Sequence, residues 1–335
     1  MKNKLTRKLM LSAFTLLFAV ISLGASTYAW FVLSENAKVT AFQGTVTSGT
    51  SGLEIAITDT SITDPAQIPD SAWKATELNI KDDLESIFTE FDFDAVQNSN
   101  PLNSSVFTDI NDKPVSANGK NGDYLQFKLW FRLADTNDST VTEYVYLNDY
   151  TMDTVGDVEP WFVNKSYTKV GNLEGELATQ KQGTSATYYV SDAARITFTD
   201  CTNELYLETP TLKGGEGYKS EGKQLNGALS YFNAIQDTTG RKSLPENYEN
   251  PTYKESSAYE GKTAVVELKA NEEAAKNYVG STIVTIWIDG WDGECINAIF
   301  GQTLEVSFTF SLNPKHTHDF TNGDCSCGEK APIAG

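Results

Sequence analysis

The sequence predicts an all-β fold, a jelly-roll-like antiparallel β-sandwich with long loop and helix insertions. Three observations point there. Several segments alternate apolar and polar residues with period two. Each of these has one dry face and one wet face, the pattern of antiparallel sheets packed face to face. The stretches between them are polar, rich in turn residues and longer than ordinary connections, so they carry short helices of their own.

In chain order, "NAKVTAFQGTV" (36–46) reads as the first strand. "LEIAIT" puts Leu53, Ile55 and Ile57 on one face. "DYLQFKLWFRL" gathers Leu125, Phe127, Leu129, Phe131 and Leu133, opposed by Gln126, Lys128 and Arg132. "TEYVYLN" (142–148) is a further strand. "AARITF" aligns Ala194, Ile196 and Phe198, and "TAVVELK" aligns Ala264, Val266 and Leu268. "STIVTIWID" (281–289) is apolar nearly throughout and reads as a more deeply buried strand. "TLEVSFTFSL" is the clearest, with Leu304, Val306, Phe308, Phe310 and Leu312 on one face and Thr303, Glu305, Ser307, Thr309 and Ser311 on the other. Polar connections fall at roughly 60–121, 150–185 and 200–262. "DDLESIFTEF" (82–91) and "NGALSYFNAI" (226–235) are the helix candidates, and "ECINAIFG" (294–301) suits a helical turn before the last strand.

The organisation that follows is a signal segment over 1–29, a sandwich over 30–313 with insertions near 60–121 and 200–262, and a tail over 314–335. Lys2, Lys4, Arg7 and Lys8 form a basic start, and residues 9–25 are apolar. Thr27 and Ala29 fit positions −3 and −1 of a cleavage site before Trp30. The alternative is an uncleaved membrane anchor, although the apolar run is short of the roughly 20 residues a span needs. On this reading the membrane is a partner only through the signal segment, and a signal peptidase meets the chain during export.

The net charge of −19 excludes nucleic acid as a natural partner, because no basic stripe exists to neutralise phosphates. It suits a secreted, self-repelling surface. Export permits disulfides, but 4 cysteines are too few for a disulfide scaffold. Cys201 and Cys295 each follow a strand, and a bridge between them would staple strand ends; the alternative is two separate thiols.

The tail spaces two imidazoles and two thiolates as His316-x-His318-x6-Cys325-x-Cys327. These could hold a structural zinc ion, with Gly323 and Gly328 easing the turns. A single residue between the cysteines is tighter than the usual knuckle, and the alternative is a flexible tail. No other cofactor is indicated.

No catalytic motif stands out. The HExxH helix of zinc proteases and the GxSxG elbow of hydrolases are both missing from the sequence, and both histidines lie in the tail. The acidic residues are too many and too unpatterned to select a catalytic pair. "DINDKPVSANGKNGD" (109–123) resembles a calcium loop, but Lys113 breaks its pattern. "IDGWDGE" brings Asp289, Asp292 and Glu294 together on a turn, either as oxygen ligands or as a solvated bend. Trp130, Trp161, Trp287 and Trp291 either line a sugar-binding face or fill the core.

"STYAWF", then a short polar segment, "FQGTV" and the Leu-x-Ile strand "LEIAI" (53–57) resemble the N-terminus of the TasA/camelysin group. "IWIDGWDGECINAIFGQTLEVSFTF" (286–310) is similar to the closing segment of other secreted proteins with that signal type. The likeness covers residues 20–57 most specifically and does not extend over the middle of the chain. The resemblance implies processing by a SipW-type signal peptidase between Ala29 and Trp30, a jelly-roll sandwich, and a structural role in the bacterial cell surface or biofilm matrix. It also implies fibre assembly in which the mature N-terminal segment, with Ala37, Val39, Ala41 and Val46, completes the sheet of another copy. The alternative from the residues is that this segment is the first strand of its own sandwich. Camelysin-type members are described as metalloproteases, and this sequence offers no histidine pair within the sandwich to carry that activity over. The competing functional reading is an adhesin-like binding module for a glycan or surface partner, with a metal-dependent hydrolase the weakest.

Overall fold

The computed structural model describes residues 41–48, 52–75, 78–80, 93–97, 100, 102–109, 113–119, 122–133, 143–170, 177–210, 227–235, 263–270, 278–290, 292, 294–299 and 301–312. The strands are β1 (Ala41–Ser48), β2 (Leu53–Thr58), β3 (Leu78–Asn79), β4 (Ala95–Val96), β5 (Leu125–Leu133), β6 (Glu143–Val155), β7 (Trp161–Phe162), β8 (Tyr167–Val170), β9 (Leu177–Gln180), β10 (Ser185–Ala186), β11 (Ala194–Thr199), β12 (Leu205–Leu207), β13 (Ala264–Ala270), β14 (Tyr278–Asp289) and β15 (Thr303–Ser311). Among the described residues two α-helices accompany them, α1 (Val190–Ala193) and α2 (Gly227–Ile235).

The expected all-β sandwich is what the chain forms. One layer runs β2–β5–β14–β11–β12, and the other runs β13–β6–β15–β1–β3. β13 joins them, because it pairs with β6 along Ala264–Leu268 and with β14 through Lys269 and Ala270. Gly280 makes that crossing possible. A Cβ there would lie 2.4 Å from Val266 Cγ1 and 2.6 Å from the carbonyl oxygen of Glu267. Aromatic edges fill the space between the layers, with ring centroids 4.9 Å apart for Phe131–Phe310 and 5.3 Å apart for Phe198–Phe308.

β15 keeps the alternation its sequence shows, with Leu304, Val306, Phe308 and Phe310 buried. β5 does not, because Lys128 and Trp130 on its outer face are buried as well. The segment after β2 lies over them: Ile68 and Trp73 pack with Ala56 and Trp130. Farther along, Phe107 and Tyr124 pack on Trp287. Two cations stand among these rings, with Lys128 Nζ 4.5 Å from the Trp130 centroid and the Arg132 guanidinium 4.5 Å from that of Trp73. Asn118, at φ 61°, turns its amide onto the main chain of β5, donating to the Gln126 carbonyl at 2.7 Å and accepting from its N–H at 2.8 Å.

β6 reaches Val155, well past the expected end at 148, since Tyr150 and Met152 continue its buried face opposite Phe308 and Val306. Its register with β15 shifts between Thr309 and Phe310. The 3-10 turn Asn297–Ile299 falls inside the expected helical turn, and α2 matches its expected helix. The helix expected at 82–91 lies outside the described residues.

Candidate functional site

Two places among the described residues are candidates: the seat of β1 and a buried ionic centre at the β14–β15 connection. β1 runs parallel to β15, with eight register pairs from Ala41↔Thr303 to Ser48↔Phe310. On its other side the two-residue β3 meets it at Thr45↔Asn79 and Val46↔Leu78. A parallel neighbour cannot be supplied by a tight hairpin, and an N-terminal segment can take such a place without disturbing any later connection. Among the described residues, then, β1 lies between the chain's last strand and a short margin.

Of the residues expected to donate, Ala41 and Val46 are in β1. Their register partners are Thr303 and Phe308 of β15. Ala37 and Val39 lie outside the described residues, as do Thr27, Ala29 and Trp30 of the cleavage site and His316, His318, Cys325 and Cys327 of the proposed zinc site. Trp291 lies outside them too.

The turn after β14 is not a solvated bend. Asp289, Asp292 and Glu294 are buried, and the cation among them is Arg195 of β11, itself 2 % exposed. Its Nη2 donates to Asp292 Oδ2. Its Nε lies 3.3 Å from Glu208 Oε1 and 3.8 Å from Asp289 Oδ2, and its Nη1 donates to the main-chain oxygens of Asp192 and Ala194 at 2.9 and 2.8 Å. Burial works against the charge on this guanidinium, but Glu208, Tyr206, Asp292 and Asp289 outweigh it and hold the group protonated, well above its ordinary value.

The turn's own backbone closes the arrangement. Asp292 N–H donates to the Asp289 carbonyl at 3.0 Å, and Glu294 N–H donates to Asp292 Oδ1 at 2.7 Å. Beside it, Gln302 accepts from Val190 N–H at 2.8 Å and donates to the Tyr188 carbonyl at 2.9 Å, fixing α1 against the start of β15. Tyr188 and Tyr167 share a close hydroxyl contact, and burial first, then Tyr188 and Glu294, push the Tyr167 phenol up.

The Cys201–Cys295 bridge is not formed; both are free thiols. β11 and β14 are antiparallel, pairing Thr199 with Ile283 and Ala194 with Ile288. The C-terminal ends of the two strands therefore lie at opposite ends of the ladder, about 17 Å apart at the usual rise per residue. Burial pushes both thiols up, and at Cys295 the neighbouring Asp292 and Asp289 add to it, so neither is primed as a nucleophile.

Trp130 and Trp287 are buried, so they line no exposed sugar-binding face. Trp161 is partly buried against Tyr188 and Tyr231. Among the described residues, the exposed large aromatic is Phe162, at 70 %, which sequence reasoning passed over. Arg195 was also passed over: it stands on the polar face of a strand, and only its register opposite Trp287, two residues before Asp289, reveals its role.

No family model matches the chain, nor does any curated protein or any solved structure.

Proposed function

We propose that this is a structural protein of a bacterial surface or biofilm matrix, exported, cleaved before Trp30 and able to self-associate by exchanging its N-terminal strand between copies. The seat of β1 is the observation that carries this reading. A strand supplied by the mature N-terminus, held along one full ladder and met on its other side at two positions, can leave without breaking another connection of the chain. Once vacated, its place exposes the unpaired N–H and C=O groups of β15, which accept the same strand from another copy. Export orders the events, because the segment is tethered until the signal is removed. The resemblance at residues 20–57 supports the same reading, and the tail residues His316, His318, Cys325 and Cys327 are proposed to hold zinc independently of it.

The test uses two cysteines at register partners, Thr45→Cys with Ser307→Cys, in protein starting at Trp30. Oxidation of assembled material is expected to give covalent multimers resolved as a ladder on a reducing-sensitive gel. Monomers carrying only an internal bridge, at concentrations where light scattering shows assembly, would overturn strand exchange. A form starting at Gly52 separates the remaining case. If it unfolds while the longer form stays monomeric, β1 serves its own sheet alone.

A further inference from the structure

No further inference is drawn: the strongest candidate, the buried carboxylates Asp289, Asp292 and Glu294 at the β14–β15 connection with the partly buried Glu208 after β12, already encloses the Arg195 guanidinium, and no second feature of the described residues points to a ligand there.

Discussion

The two layers of the sandwich are held by different means. The layer centred on β14 is flanked by β5 and β11, its outer face is packed under the segments bearing Trp73 and Phe107, and its end is keyed by Arg195. The layer centred on β15 has the antiparallel β6 on one side and the parallel β1 on the other, with the two-residue β3 beyond. The first is fastened by side chains contributed from distant parts of the chain. The second depends at that margin on main-chain ladder bonds, which any extended segment of suitable register can make. The proposed exchange of β1 between copies would use the second construction and leave the first intact.

The largest expected effect breaks the keyed layer. Arg195→Ala leaves Asp289 and Asp292 buried beside no guanidinium, which costs about 3–5 kcal/mol for a buried pair broken on one side. Urea unfolding monitored by near-ultraviolet circular dichroism should show the midpoint fall accordingly. A shift under about 1 kcal/mol would mean that the carboxylates relax to water and that the centre is not what fastens this layer.

The next effect falls on the crossing between layers. Gly280→Ala sets a methyl group against the Glu267 carbonyl, a backbone atom that cannot swing aside. Overpacking of this kind costs about 1–3 kcal/mol. Gly52→Ala, where a Cβ meets no atom within 4 Å but φ is +89°, gives a companion measure of backbone strain without crowding. Equal losses at the two sites would show that the crossing at Gly280 is looser than its contacts indicate.

Amide exchange compares the layers directly. The amides of Val284, Ile286 and Ile288, inside β14, are expected to exchange only through global unfolding. Those of Thr45 and Thr47 in β1 are expected to open at least tenfold more often, a difference of about 1.4 kcal/mol. If β1 amides prove as protected as those of β14, the strand is locked in place and exchange between copies loses its physical basis.

How much of this was legible in the residues follows from which forces act locally. The period-two runs at 123–133 and 303–312 match their strands to within two residues, because the pleat alone dictates the alternation. The end of β6 was hidden by Asp149 and Asp153, polar residues that look like loop yet occupy the wet face of a continuing strand. β12, with three residues, is too short for any period to show. The acidic turn looked wet because its partner lies 97 residues away, on a strand whose register cannot be known before the sheet order is. The cysteine bridge failed for the same reason: two residues that each follow a strand are neighbours only if those strands run the same way.

The smallest expected effect tests how firmly the cover sits on the β14 layer. Asp123 Oδ2 accepts from Ser116 N–H at 3.0 Å and closes the turn that carries Asn118. Burial raises its pKa, the Ser116 hydrogen bond opposes the rise, and nearby Asp109 adds to it. An acid whose folded value lies above its unfolded one contributes stability that is full below the ordinary aspartate range, near 3.9, and is lost as the pH rises through the folded value. Asp123→Asn keeps an acceptor for Ser116 and removes the charge, so at neutral pH it should be stabilising by about a few tenths of a kcal/mol, discounted because the group is only half buried. The gain should shrink as the pH falls towards about 4. Thermal melts of both proteins across that range decide the point. A loss of stability of constant size at every pH would mean that the carboxylate acts by the geometry of its hydrogen bond, and that the cover is held there by the turn rather than resisted by a buried charge.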